Sequence, residues 1–461
     1  MTASNSPASP DIHRGATTSS PREGNPSKMR KVAFASFMGT VIEFYDFGIY
    51  GTAAALVFAH AFFPALGEGA GTVVSFATLG VAFVARPVGS ILFGHFGDRL
   101  GRKKTLIATM SLMGIATVLI GLLPTAATIG VLAPIVLIIL RIAQGIAAGG
   151  EWAGAILFTA ENAPQKTRGF WASFTNVGGA VANILALATF LVTSIVMTDE
   201  QFTAWGWRVP FLISIALVAL GLYVRLTLDE TPVFRDEVRT SGRSALPFRD
   251  ALANQWREIL IGAGALVSAF AFGYVGIAYL TNYGTATLDL SYAAVLGAGI
   301  FGNLVNGLSM IAAAVLSDRI GRRKVLLATS VAGIPWALAL FPILDLQSVP
   351  LFWLGTAVTF VIAGMGFGIA GSFLSELFHT RYRYTAAGLA YSTAAIAGGA
   401  VPPIVAASII GRFGSLSFGV LLAIYCVVSV VCTLRIRETR DTDLTDDPTN
   451  APAGPLGEPC R

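Results

Sequence analysis

Glu43 and Asp46, two acids set inside an apolar run, are the first residues of the chain whose types and spacing could do chemistry. They stand three apart, so on a helix they share a face, one above the other by about 4.5 Å. Two carboxylates that close and away from water do not both ionise easily, which leaves one poised to hold a proton. They form a proton or substrate site, or they serve only as fixed ion-pair partners of Arg86 or Arg141. Arg141 sits near the middle of another apolar run, with Gln144 one turn further on the same face. A guanidinium there can hold a carboxylate through two parallel hydrogen bonds. Arg141 is therefore a candidate for gripping an anionic substrate, or equally the counter-ion of Glu43 or Asp46. Arg86 either bridges helices or snorkels toward the interface. Glu151, just after the Gly149-Gly150 step, is a gate partner or part of a proton path. A charge near the centre of a bilayer costs at least ~2.5–3.5 kcal/mol, so such residues usually face the interior of a bundle.

The second half of the chain has no comparable charge at mid-depth. Its polar residues are neutral: Tyr274, Asn282, Asn303, Asn306 and Tyr391. They suit hydroxyls or the free oxygens of a carboxylate, or they are interhelical glue worth about 0.6 kcal/mol per bond. The division of labour expected is charge and coupling in the first half, shape recognition in the second. The four His (His13, His60, His95 and His379) lie in different segments without ligand spacing, and the three Cys make no disulfide framework. No phosphate-binding Gly-Lys loop is present. We therefore expect no metal, no cofactor, no enzymatic nucleophile and no drive by ATP.

These residues need elements to position them, and the composition says which. Hydrophobic residues make up 54% of the 461, and charged residues 12%, about half the share usual in soluble domains. That excludes a soluble enzyme, a disordered chain and a nucleic-acid binder. Residues 1–30 are polar and rich in Ser, Pro, Thr and Gly, and read as a disordered tail. About twelve apolar runs follow, most near the ~20 residues that cross a bilayer. In the half 31–228 they lie near 32–61, 71–96, 105–124, 129–158, 169–197 and 207–228. In the half 257–434 they lie near 257–282, 292–316, 325–344, 350–378, 385–410 and 414–434. Between the halves, residues 229–256 form a polar loop, read as short interfacial helices or as a solvated linker. Residues 435–461 form a second tail. Glycine pairs such as Gly149-Gly150, Gly178-Gly179 and Gly398-Gly399 are expected at close helix contacts. The fold class is thus an all-α integral membrane protein with two six-helix halves.

Positive charge fixes the orientation. Of the 31 Lys and Arg, all but Arg86, Arg141, Arg208 and Arg412 fall in the two tails or in alternate loops on one side. This asymmetry predicts a multi-pass protein of the cytoplasmic membrane with both termini inside. Its partners are then a small-molecule substrate, protons and the lipid bilayer, with no nucleic acid and no obligate protein partner.

The halves repeat a signature. Residues 97–104 read GDRLGRKK and residues 317–324 read SDRIGRRK, each after the second run of its half. Glu161 and Arg168, seven apart, are echoed by Glu376 and Arg383 after the fourth runs. Positive-inside topology accounts for the basic residues but not for the order Asp-Arg-x-Gly-Arg. The Asp can face a helix N-terminus or a neighbouring Arg, and the Gly permits backbone that a side chain would obstruct. We expect a cytoplasmic clamp from Asp98, Arg99, Gly101, Arg102, Glu161 and Arg168. Asp318, Arg319, Gly321, Arg322, Glu376 and Arg383 would echo it more loosely, because Ala314 stands where Gly94 opens the first signature.

GHFGDRLGRKK resembles the signature loop of the major facilitator superfamily, and the 6+6 layout covers nearly the whole chain. VIEFYDFGIYG (41–51), ARPVGSILFGHFGDRLGRKK (85–104) and LRIAQGIAAGGEWAGA (140–155) are similar to the metabolite:proton symporter family. That family includes shikimate, α-ketoglutarate, citrate and proline/betaine transporters. The stretches from IATVLIGLLPTAATIG to TDEQFTAWGWRVPFL look most like shikimate-transporter-like members. The resemblance implies proton-coupled uptake of a small organic acid, with a zwitterion such as proline or betaine as the alternative; it does not name the substrate. The long C-terminal coiled coil of the family's osmosensors has no counterpart in 435–461, which lacks heptads. A receptor that lost transport would not need Glu43, Asp46 and Arg141, and a channel would not need two matched clamps.

Overall fold

A computed structural model of the chain describes residues 26–100, 102–149, 151–227, 247–378, 383–440, 442 and 444. Among them every regular element is helical. In lipid the backbone must satisfy its own hydrogen bonds, and within these apolar runs a helix does so locally.

The first half contains α1 (Pro26–Leu56), α2 (Gly67–Leu100), α3 (Arg102–Leu122), α4 (Leu132–Ala148), α5 (Arg168–Val196) and α6 (Val209–Thr227). The second contains α7 (Pro247–Tyr274), α8 (Tyr292–Ile320), α9 (Arg322–Leu344), α10 (Val349–Leu377), α11 (Arg383–Ala394) and α12 (Ser415–Leu434). Ten of the described helical stretches are long and apolar enough to cross a membrane; α3 and α4 carry shorter apolar helices, Ile107–Leu122 and Leu132–Ala148. The twelve-run reading of the sequence and these twelve helices agree. Ile115, Leu119 and Leu122 form an exposed stripe along α3, and Val420, Ile424, Val427 and Val431 one along α12. Stripes of this kind belong against lipid, where helix association rests on packing rather than on hiding apolar surface.

Among the described residues, α7 and α11 depart from regular geometry. α7 bends at Gln255 (φ −130°, ψ 21°), so residues 247–254 form a short helix before the span. Past Tyr274 the same helix continues through two π-turns, Val275–Tyr279 and Tyr283–Thr287. α11 passes through a π-turn at Ala395–Ala400 before Val401–Phe413 completes it. The first span ends earlier than its apolar run. The chain turns at Val57, and Phe58 and Phe62 then pack edge-on against Trp207.

The halves meet with α5 along α8 and α10, and with α2 along the Val401–Phe413 end of α11. Close approach explains two of the glycines. A Cβ at Gly178 would stand 2.6 Å from the Phe37 carbonyl oxygen on α1, and one at Gly398 would stand 2.3 Å from the Val267 carbonyl oxygen on α7. Of the third pair, Gly150 lies outside the described residues.

Candidate functional site

α1 buries Glu43 and Asp46 at 5% and 2% exposure, one turn apart. The Asp46 Oδ2 atom accepts from the Thr117 hydroxyl of α3 at 2.8 Å. That hydroxyl accepts from Gln144 Nε2 at 2.7 Å, and Gln144 Oε1 accepts from Arg141 Nη1 at 2.9 Å. Asp46 and Arg141 are therefore joined through a hydroxyl and an amide rather than by a direct ion pair. Thr117 is the member that sequence reasoning missed. A Thr in an apolar run looks like any other, and several more are buried here, including Thr52, Thr78 and Thr109.

Arg141 is fully buried. Its guanidinium lies 3.9 Å from the centre of the Tyr50 ring and 4.7 Å from that of Phe47. Arg86 on α2 lies 4.4 Å from the same Phe47 ring and 4.9 Å from that of Phe83. Two cations thus share one aromatic ring, an arrangement worth about 2 kcal/mol or more per contact when desolvated. The rings satisfy charge but accept no N–H in the ordinary sense. Among the described residues, Nε and Nη2 of Arg141 have no hydrogen-bond acceptor. A planar guanidinium with two such N–H groups suits a carboxylate.

The second half brings neutral residues to the same region. Tyr274 packs edge-on to Phe83 at 5.0 Å and lies within electrostatic range of Arg86, Arg141 and Glu43. Tyr391 packs against Phe270 at 4.8 Å and lies in range of Arg86 and Glu43. A π-turn begins immediately after Tyr274, and another lies four residues beyond Tyr391; such turns often mark functional sites. Asn303 and Asn306 are buried on one face of α8. Asn303 Nδ2 donates to the Gly299 carbonyl at 3.0 Å, while the Oδ1 atoms of both have no donor among the described residues. Asn282 goes elsewhere: its Nδ2 donates to the Ala55 carbonyl of α1 at 3.0 Å, linking the halves.

The end of the bundle that carries the second signature is tied by buried ion pairs. Asp318 accepts from the backbone N–H of Gly169 and of Phe170, both at 2.9 Å, at the N-terminus of α5 in the other half. It also accepts from Arg322 Nη1 at 2.6 Å. Arg322 holds Glu376 through Nε and Nη2, both at 3.2 Å, and Arg168 Nη1 reaches the same carboxylate at 3.1 Å. The repeated Glu-and-Arg pairs exchange partners: Arg168 of the first half binds Glu376, and Arg383 of the second meets Glu161 at 3.5 Å. Gly321 has φ +107°, a value that side chains rarely adopt, and a Cβ there would stand 2.2 Å from Glu438 Oε2. Glu438 in turn accepts from the Arg322 backbone N–H at 2.7 Å, capping α9. The chain after α12 continues across these ion pairs. Thr439 Oγ1 donates to Glu376, the Arg319 carbonyl accepts from Arg440, and the Thr442 carbonyl accepts from Arg168. The Arg319 side chain itself is exposed. Gly101 and the side chains of Asp98, Arg99, Arg102 and Glu151 lie outside the described residues.

This geometry separates two replacements. Glu376→Gln leaves Arg168 and Arg322 sharing a weakened buried partner. It should cost about 3–5 kcal/mol of stability, as breaking one side of a buried pair does. Glu161→Gln should cost at most about 1 kcal/mol, because the Glu161 side chain is 49% exposed. Thermal unfolding of both proteins in detergent measures the difference, and equal shifts in Tm would refute the ranking.

The sequence pattern described as Major Facilitator Superfamily matches residues 36–402. Over 425 residues the chain is 41% identical to the inner membrane metabolite transport protein YhjE of Escherichia coli (strain K12), covering 90% of this chain and 95% of that protein. It is 38% identical to the shikimate transporter of the same organism over 424 residues, covering 90% and 96%. It is 32% identical to that organism's proline/betaine transporter over 428 residues, covering 90% and 85%. Among solved structures, a partially occluded inward open form of the xylose transporter XylE from E. coli superposes with a TM-score of 0.71. That superposition has 18% identity and covers 91% of this chain and all of the other.

Proposed function

The chain belongs to the major facilitator superfamily, a family of multi-pass membrane transporters rather than enzymes, and from that premise we propose that it is a proton symporter taking up a small organic acid. The observation that carries the reading is Arg141: a fully buried guanidinium, seated on two aromatic rings, whose Nε and Nη2 find no acceptor among the described residues. A substrate carboxylate supplies the missing acceptors. Gln144 Oε1 accepts from Nη1, the third nitrogen of the guanidinium, so the fork is aimed before substrate arrives. Glu43 and Asp46 carry the proton. Tyr274, Tyr391, Asn303 and Asn306 shape the remainder of the substrate from the second half, and Arg86 balances charge beside Phe47. The end bearing the signatures faces the cytoplasm, with both termini on that side. Its ion pairs, together with Asp98 and Arg102 of the first signature, close the inner gate and release when the halves rock. Glu151 lies on the proton path or beside that gate.

A zwitterion is the second reading. Relatives named as proline/betaine transporters share 31–32% identity with the chain, and aromatic faces such as Phe47 and Phe83 could also receive a quaternary ammonium. Driving force separates the two. A monoanion entering with one proton moves no net charge, so its accumulation follows the pH gradient alone, about tenfold per pH unit. A zwitterion entering with one proton also gains roughly 2.3 kcal/mol per 100 mV of membrane potential. In vesicles at fixed pH gradient, clamping the potential from zero to inside-negative should leave shikimate-like acid uptake nearly unchanged. Strong stimulation, with competition by betaine and none by any carboxylate, would reject the organic-acid reading.

A further inference from the structure

We propose that Thr117 is the positioning residue that lets Asp46 take up and release a proton without disturbing the aim of Arg141. The proposal rests on the proton-symport reading above and adds to it a residue outside the charged set. Thr117 is fully buried, and its single hydroxyl stands at a three-way junction. Oγ1 lies 2.8 Å from Asp46 Oδ2, 2.7 Å from Gln144 Nε2 and 2.9 Å from the Met113 carbonyl oxygen.

The hydrogen count at that junction allows two states. A hydroxyl has one hydrogen and two lone pairs. One lone pair always accepts the Gln144 N–H. When Asp46 is ionised, the Thr117 hydrogen points to Asp46 Oδ2. When Asp46 carries the proton on that oxygen, its O–H donates to the second lone pair and the Thr117 hydrogen turns to the Met113 carbonyl. The heavy atoms keep their places in both states, and no polar atom of the junction loses a partner. Gln144 therefore stays fixed, and through its Oε1 so does Arg141.

The surroundings offer Asp46 little else. The titratable and charged groups near it are Glu43, one turn away on α1, Arg141 on α4, and Tyr45, whose hydroxyl is engaged by Thr189 and the Pro210 carbonyl. Where α3 and α6 face the two acids they contribute Met110, Met113 and Val218 around a void of about 10 Å³. That is the smallest space a single water can use. A hydroxyl whose hydrogen can turn thus takes the part that bulk water plays for an exposed carboxylate.

The test uses the full chain in proteoliposomes, with shikimate, α-ketoglutarate and betaine as probes and two assays. Net uptake driven by a pH gradient needs Asp46 to empty its proton inside on every cycle. Exchange of labelled for unlabelled substrate needs only the loaded form. Thr117→Val keeps the shape and removes the donor that ionised Asp46 requires. We expect net uptake to fall about tenfold or more, the scale of losing one hydrogen bond to a buried charged group; exchange also falls, because Gln144 loses its acceptor on Thr117, but several-fold less than net uptake. Thr117→Ser restores net uptake. Retained exchange shows that the Val protein is folded. Equal loss of both activities that Ser does not restore, or unchanged net uptake by the Val protein, overturns the proposal. The symport reading fails separately, if uptake by the unaltered protein ignores both the pH gradient and a protonophore.

Discussion

Arg141→Lys should lower uptake at limiting substrate by about 10²–10³-fold, the loss expected when two charge-assisted hydrogen bonds go. Lysine keeps the charge but not the fork. An ammonium presents its donors from one atom and cannot offer the parallel pair that a carboxylate needs. It also leaves a compact, strongly hydrated ion where Tyr50 and Phe47 now stack on a flat, weakly hydrated one. The loss should fall on KM and maximal rate together, because the ammonium also gives up the Nη1 contact by which Gln144 aims the fork before substrate binds. Arg208→Lys is the control. Arg208 donates to the carbonyls of Ala204 and Leu123 at a helix end and should tolerate the change within about threefold. An unaltered KM in the Arg141→Lys protein, with correct insertion, would show that the substrate's acidic group is held elsewhere.

The sequence made the spans legible because lipid imposes one rule on every helix: an apolar run near the thickness of a bilayer. The misplacements have local causes. The first apolar run continues past Leu56, but Phe58 and Phe62 leave the helix axis to pack on Trp207, a contact no hydropathy window registers. The π-turns after Tyr274 and within 395–400 are equally silent in sequence, since they shift backbone pairing and not residue type.

The chemistry was legible to the extent that charge is costly. Glu43, Asp46, Arg86 and Arg141 stand out because a buried charge needs a reason. Thr117 does not, because a hydroxyl in an apolar helix usually donates to its own backbone, as Thr40 and Thr52 do here. The signature at the clamp shows a further gap. Repetition revealed that Glu161 and Arg168 correspond to Glu376 and Arg383. The exchange of partners between halves depends on how the two copies face each other, which spacing along the chain does not encode. Nor did the polar segment after α12 signal that Glu438 caps α9 and that Thr439 reaches Glu376.

Neutralising Asp46 should convert an accumulating transporter into an equilibrating one. In Asp46→Asn the amide imitates the protonated acid: it can still meet the Thr117 hydroxyl at the 2.8 Å position, so the Gln144 and Arg141 contacts persist. It has no proton to release. Substrate should therefore enter and exchange, but the ratio inside to outside should collapse from about tenfold per pH unit toward one. Glu43→Gln provides the comparison. Both acids line the same small void, yet the junction with Thr117 is built on Asp46, and we expect Asp46→Asn to lose more accumulation than Glu43→Gln. The reverse order would move the proton to Glu43 and leave Asp46 as a positioning group. Accumulation up a gradient by both single variants would remove the pair from the coupling mechanism altogether. A buried acid pair that never empties its proton has no other means of tying substrate movement to the gradient.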